Sequence, residues 1–142
     1  MNHKLGIALA TVAAICFSSA SFAQSTVTDV VSTLSASPAA FKGKCPAVIT
    51  FNGTITVKGK ISPNAPVQMG YTFLRSDGAK GPILYYTISA PGTQAVSTTW
   101  TLGGPPLPTY SGWEQLKAWP TSHLGFGYSF SDKAYFKVVC KS

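Results

Sequence analysis

The feature that most constrains this chain is a long run of alternating apolar and polar residues in its first half. From Ala47 to Lys58 the odd-numbered positions are apolar or glycine, and the even-numbered ones, apart from Val48, are polar. A period of two places successive side chains on opposite faces of a β-strand, so this run predicts one strand with a single buried face. No segment of the chain sustains the period of about 3.6 that an amphipathic helix needs.

A hairpin turn at Asn52-Gly53 is the alternative for this run, because that dipeptide suits tight turns. A turn there would pair Phe51 with Thr54 and would mix apolar and polar side chains on one face. A continuous strand keeps the apolar side chains together, so we expect one strand. Gly53 would then face inward, at a bulge or packed against a large aromatic side chain.

Six further segments have strand character, and clusters of Gly, Pro, Asp and Ser between them indicate turns. Glu114–Lys117 is ambiguous, because it is also compatible with a helical turn. Seven short strands favour an immunoglobulin-like β-sandwich of antiparallel strands, and a small barrel is the structural alternative. The predicted strands are 27–36 at a sheet edge, 47–58, 67–75, 83–90, 93–102, 113–119 and 135–140.

The first 23 residues have the three parts of a secretory signal peptide. A basic start with Lys4 precedes an apolar run from Leu5 to Phe17, and Ser21-Phe22-Ala23 is an A-x-A-like cleavage site, with small residues at its first and third positions. The run has 13 residues, whereas a helix needs about 20 to span a bilayer, which disfavours a membrane anchor. We expect residues 1–23 to be removed and residues 24–142 to form one secreted or periplasmic domain.

Removal of the signal peptide discards Cys16 and leaves two cysteines, Cys45 and Cys140. An even pair in an exported chain predicts a disulfide, because that compartment is oxidising. A metal site would need closer ligand spacing, such as Cys-x-x-Cys, so we expect no metal and no other cofactor. In an immunoglobulin-like topology the first strand runs beside the last. That arrangement brings the two cysteines to one pole of the sandwich.

The domain without residues 1–23 has ten basic and four acidic residues, a net charge of about +6. Such a charge favours contact with anionic surfaces, although it also serves solubility alone. Lys42, Lys44 and Lys141 lie close to the two cysteines in sequence and are expected to cluster at the disulfide pole. They are either a candidate anion site or a solvated cluster. No nucleic-acid-binding signature is present, so we expect no specific nucleic-acid partner.

Two groups of side chains are candidates for chemistry or binding. His123 could act as a base that Glu114 orients, with a serine as the nucleophile, but no nucleophile motif accompanies them, so we expect no enzyme activity. Tyr110, Trp113 and Trp119 lie in a Pro-rich stretch that we interpret as a loop, where exposed aromatic rings are good binding anchors. The alternative is that Trp113 and Trp119 fill the core.

Several stretches resemble secreted bacterial immunoglobulin-like domains across most of residues 27–141. This resemblance implies a β-sandwich fold and an exported location, and it implies no catalytic residues. The stretches that carry it are Cys45-Pro46, Ile49–Thr56, Tyr71–Ala79, Gly92–Gln94, Ser97–Trp100, Gly112-Trp113 and Phe136–Cys140.

Two functional hypotheses follow from these observations. The first is an exported, non-catalytic binding or structural module that engages a protein or glycan through the aromatic loop or an exposed strand edge. The alternative is a secreted inhibitor or effector that acts on a hydrolase by inserting a loop.

Overall fold

A computed structural model of the chain describes residues 12–16, 24–122 and 126–141. The predicted cleavage site after Ala23 and the candidate base His123 lie outside the described residues. Cys16 is exposed and forms no disulfide. In the described part of the chain, no helix is long and apolar enough to cross a membrane.

β-Strands form the regular structure of the described domain. In chain order they are β1 (Thr26–Ser37), β2 (Ala40–Gly43), β3 (Ala47–Lys60), β4 (Val67–Arg75), β5 (Leu84–Ile88), β6 (Gly92–Leu102), β7 (Thr109–Pro120), β8 (Ser129–Phe130) and β9 (Ala134–Cys140).

The strands form two sheets. The three-stranded sheet has the order β1-β3-β6 and is antiparallel throughout. The six-stranded sheet has the order β2-β9-β7-β4-β5, and the short β8 pairs with β7 off this path. Within it β2 runs parallel to β9, and the remaining pairs are antiparallel. This immunoglobulin-like β-sandwich confirms the predicted fold class.

β3 is one continuous strand that passes through Asn52-Gly53 without a turn, as its alternation predicts. Its pairing with β6 shows no register shift, so Gly53 does not mark a bulge. A Cβ atom at Gly53 would overlap the carbonyl oxygen of Thr33 on β1 and would contact two leucine side chains. The missing side chain therefore allows a close backbone approach, and the packing against a large aromatic ring that we expected is not found.

The core lies between the sheets as two adjoining clusters. One contains Ile55, Met69 and Leu116, and the other centres on Phe51, Trp100 and Phe136. The Phe51 and Phe136 rings meet edge to face with centroids 5.6 Å apart. Full burial of a side chain of this size contributes roughly 1.5–3 kcal/mol, so these alternating inward residues hold the sheets together.

Two segments differ from the sequence prediction. The pairing with the last strand is made by β2, which we did not predict, while β1 pairs with β3 at the edge of its sheet. The interpretation of the Pro-rich stretch as a loop is wrong beyond residue 108, because residues 109–120 form the long strand β7, which contains the predicted strand 113–119 and begins four residues before it. Glu114–Lys117 is accordingly extended and forms no helical turn.

The predicted disulfide joins Cys45, just before β3, to Cys140 at the end of β9, with Cα atoms 5.4 Å apart. The two cysteines meet at one pole, as the topology requires. Gly103 packs against the bridge with a φ of +86°, and a Cβ atom there would lie 2.5 Å from the Cys140 sulfur. The bridge closes a separation of 95 residues, which stabilises the fold by about 4–5 kcal/mol in the chain-entropy treatment.

Replacing both Cys45 and Cys140 with alanine is expected to lower the free energy of unfolding by about 2–5 kcal/mol, because the unfolded chain regains its freedom. Urea denaturation of the oxidised wild type and the double variant measures the difference. Wild type treated with a reductant is the control and should match the variant. A loss below about 1 kcal/mol would contradict a stabilising role for the bridge.

Candidate functional site

The alternation of β7 separates the three aromatic residues that the sequence groups together. Tyr110 faces the core, where its ring lies 5.5 Å from Trp100 and 5.9 Å from Phe136 between centroids. Trp113 and Trp119 are half-buried on the opposite, solvent-facing side of the strand. The structure therefore brings Trp113 and Trp119 to one surface, the outer face of the six-stranded sheet, and places Tyr110 on the other side.

Further aromatic side chains are exposed beside these tryptophans. Tyr128, Phe130 and Tyr135 expose 60%, 51% and 66% of their surfaces. Sequence reasoning missed them, although the alternation of β9 puts Tyr135 opposite the buried Ala134 and Phe136 and could have identified it. Tyr128 and Phe130 reach this face through the return of the chain toward β7, which no local pattern predicts.

Lys117 lies among three of these rings at one end of the face. Its Nζ atom is 3.7 Å from the Tyr128 ring centroid, 5.7 Å from Trp119 and 5.9 Å from Phe130. An ammonium within about 6 Å of an aromatic face is attracted by the negative ring quadrupole, so the lysine and the rings hold one another in place. We call Lys117, Trp119, Tyr128 and Phe130 the Lys117 cluster.

Gly70 on β4 lies directly beneath the Trp119 ring. The two residues are paired across the strands, and a Cβ atom at Gly70 would be only 2.8 Å from two indole carbons. Real Cβ atoms essentially never come so close to another heavy atom. The absent side chain therefore lets the indole rest against the β4 backbone, which fixes its position on the sheet.

A shallow depression lies at the other end of the outer face. Trp113 and Tyr135 are cross-strand partners on β7 and β9, and the Lys133 Nζ atom is 4.2 Å from the Trp113 ring centroid. The Trp113 backbone N–H donates to the Ser76 hydroxyl at 3.1 Å. We call this the Trp113 depression. It has a volume of about 540 Å³, and its lining includes Ser76, Ser111, Trp113, Tyr135 and Lys137.

The outer face is positively charged. Lys117, Lys133 and Lys137 lie on it or at its margin. One acidic residue, Asp132, directly precedes Lys133 in the sequence. The other three acids lie elsewhere: Glu114 is buried, Asp29 is on β1, and Asp77 pairs with Arg75. Exposed rings next to ammonium groups that form no salt bridge within the described ranges favour an anionic ligand with apolar surface.

Glu114 occupies the inward side of β7 and exposes only 2% of its surface. Burial raises its pKa to about 7, although the positive charge of Arg75 opposes this shift. Its Oε2 atom has no hydrogen-bond partner among the described residues. The Arg75 guanidinium stacks 3.8 Å from the Trp100 ring centroid, and a hydrogen bond joins it to Asp77. No group of three metal-ligating side chains occurs within the described ranges.

The structure brings together two of the three lysines expected at the disulfide pole. Lys44 and Lys141 line a cavity of about 500 Å³ beside the Cys45–Cys140 bridge, together with Gly104 and two prolines. Lys42 is exposed on β2 and does not line this cavity. Anion binding at the pole stays a prediction.

Comparisons with known proteins find a structure of similar fold but no matching family. No family model and no curated protein matches the chain. The CARDB domain of the PF1109 protein from Pyrococcus furiosus, solved in complex with di-metal ions, is similar with a TM-score of 0.53 and 13% identity, over 80% of this chain and 94% of that chain. The Pseudomonas fluorescens alkylpurine DNA glycosylase AlkC, bound to DNA containing an abasic site analog, has a TM-score of 0.42 and 14% identity, over 78% of this chain and 30% of that chain.

At these identities the first likeness shows the β-sandwich fold alone, and the second is too loose to add to it. The resemblance of the sequence to immunoglobulin-like domains is thus confirmed for the fold. Membership of a secreted bacterial group stays a prediction.

Replacing Glu114 with glutamine is expected to raise the free energy of unfolding above pH 7 by about 2–4 kcal/mol. The native pKa of about 7 exceeds the ordinary value of 4.5. As the pH rises from 4.5 to about 7, Glu114 therefore ionises in the unfolded chain before it ionises in the folded one. Wild type loses stability across this pH range, and the loss persists at higher pH. Below this range both states are protonated, and the full stability is present.

Urea denaturation between about pH 4 and pH 8 measures this difference. Asp132→Asn is the matched control, because Asp132 is exposed. Wild type and Glu114→Gln curves that stay parallel over the whole range would contradict a raised pKa at Glu114.

Proposed function

We propose that this domain is a non-catalytic binding module that holds an acidic polysaccharide on the outer face of its six-stranded sheet. The observation that carries the proposal is the alternation of aromatic rings and lysines along this face. Lys117 contacts three rings and Lys133 contacts a fourth. At each end of the face, in the Lys117 cluster and in the Trp113 depression, an aromatic ring and an ammonium group are therefore close enough to contact one ligand together.

The chemistry of this face fits a charged sugar chain. The C–H bonds on one side of a sugar ring carry partial positive charge, and the negative face of an aromatic ring attracts them. Lysine ammonium groups beside the rings would bind the carboxylate or sulfate groups of such a sugar. The hydroxyl groups of Ser76 and Ser111 lie in the same depression and supply further hydrogen-bonding partners.

The spacing of the two tryptophans favours a polymer over a single sugar. Trp113 and Trp119 are six residues apart on β7, which corresponds to about 20 Å along an extended strand. A ligand that contacts both ends of the face must span that distance. A chain of several sugars does so, and two weak contacts on one chain then add their binding free energies.

The structure supports the alternative hypothesis, a secreted inhibitor or effector that acts on a hydrolase, less well than the binding module. That hypothesis needs a loop to insert, and most of residues 105–120 belongs to β7. Export fits the polysaccharide proposal, because acidic glycans occur at cell surfaces. The predicted signal peptide and the Cys45–Cys140 bridge support an oxidising compartment.

Trp113→Ala, Trp119→Ala and Lys117→Gln are each expected to weaken binding to polygalacturonate by about 10-fold or more, because each removes a ring or charge that contacts the chain. Affinity electrophoresis and calorimetry measure the change, with neutral dextran as the uncharged comparison. Wild type should bind dextran much more weakly, because dextran offers no carboxylate to the lysines.

Lys58→Gln and Leu107→Ala are the matched controls for charge and exposed apolar surface, since both residues are exposed away from this face. They should bind like wild type. The proposal fails if wild type prefers dextran, or if the controls lose as much affinity as the three face variants.

Gly70→Ala tests the geometry of the face without removing any ring. The added methyl group would displace the Trp119 indole, so we expect affinity for polygalacturonate to fall several-fold. In a Trp119→Ala background the same change should have no further effect, because residues that act through one contact are not additive. Circular dichroism checks that the fold is kept. Equal losses in both backgrounds would show that Gly70 acts independently of Trp119.

A further inference from the structure

The four edges of the two sheets differ in how well they are protected against pairing with another strand. Exposed edges present unpaired N–H and C=O groups, and proteins shield them with short strands, charges, prolines or bulges. In the described part of the chain, β1 and β6 are the edges of the three-stranded sheet, and β2 and β5 are the edges of the other.

Three of these edges carry such protection. β1 has a register shift between Val27 and Asp29, and Asp29 is an exposed charge. β2 has four residues, includes Lys42 and lies between two prolines. β5 has five residues and is likewise bounded by prolines, at positions 82 and 91.

β6 has none of these devices within its length. It runs for 11 residues, Gly92–Leu102, without a charged residue or a proline. Its register with β3 is unbroken along the whole length, so no bulge twists the edge away. Gln94, Ser97 and Thr99 are exposed along it. This edge is ready to accept another strand.

We propose that β6 is a self-association edge, at which β6 of a second copy of this chain pairs antiparallel with it. A two-fold axis at Ser97 would place Ser97 opposite its own copy and Ala95 opposite Thr99 of the second copy. The two three-stranded sheets would become one continuous six-stranded sheet. Such an interface uses the same surface on both copies, which is the commonest symmetry of small assemblies.

On the solvent-facing side of the three-stranded sheet, hydroxyl side chains already pair across neighbouring strands. Thr33 and Thr54 hydroxyls are hydrogen-bonded at 2.6 Å across β1 and β3, and Thr56 and Thr93 are bonded at 2.9 Å across β3 and β6. Pairing through β6 would continue the Thr56–Thr93 row, because the same axis places Thr93 opposite Thr101 of the second copy. Cross-strand pairs of this type favour sheet formation.

Charge argues for a second copy at this edge in particular. The chain has a net charge of +7, so most of its surface repels another copy. β6 is uncharged, which leaves it as a place where two copies can approach without facing like charges. The neighbouring β5 edge lies on the same side, because three residues join it to β6, and Ile83 and Leu84 add exposed apolar surface there.

Ser97→Lys tests this edge, and Ser35→Lys is its matched control. Ser35 and Ser97 flank Asn52 in one row across the sheet, one on each edge strand, and both are exposed. Sedimentation equilibrium of the purified protein up to about 1 mM, a concentration that detects weak dimers, measures association. Thermal unfolding checks that both variants are folded.

We expect wild type and Ser35→Lys to dimerise, and Ser97→Lys to raise the dimer Kd at least about 10-fold, since like charges would lie directly opposite each other. Hydrogen exchange of β6 amides should slow with protein concentration in wild type and in Ser35→Lys, but not in Ser97→Lys. A wild type that stays monomeric overturns the proposal. So does a dimer that Ser97→Lys leaves intact or that Ser35→Lys abolishes.

Discussion

The hydrogen bonding of β7 to three other strands is the constraint on which the rest of the structure depends. Its first half pairs with β9, its second half with β4, and β8 joins near its end. Because partners on both sides fix its register, they also fix which side chains face inward. A slip of one residue would bring Trp113 and Lys117 into the core and expose Leu116.

The sequence predicts the parts of the fold whose alternation is strong. β3 has apolar residues at nearly every inward position, so its continuity through Asn52-Gly53 can be predicted from side-chain pattern alone. The inward positions of β7 include Gly112 and Glu114, and a glycine and a carboxyl group hide the period. β2 is too short, at four residues, to show a period at all. Local pattern fails where the fold buries a residue type that usually lies outside.

The candidate site could be predicted in part by residue type and hardly at all by geometry. Trp113 and Trp119 attract attention as aromatic residues, but only the register of β7 separates them from Tyr110. Tyr128 contacts Lys117 through a return of the chain, a tertiary contact without a local signal. The role of Gly70 is visible only beneath the Trp119 ring. The sequence identifies some of the residue types on this surface, and the pairing of the strands determines which side chains are in contact.

The Cys45–Cys140 bridge also determines how the domain carries mechanical load. Tension applied to the two ends of the chain would pass from the segment before Cys45 straight across the sulfur–sulfur bond to Cys140. Among the described strands, β1 and β2 alone precede the bridge, so these two can detach under force. β3 to β9 lie inside the covalent loop, so the tension bypasses them once β1 and β2 have detached. The outer face, built from strands inside that loop, would keep its shape while the ends are pulled.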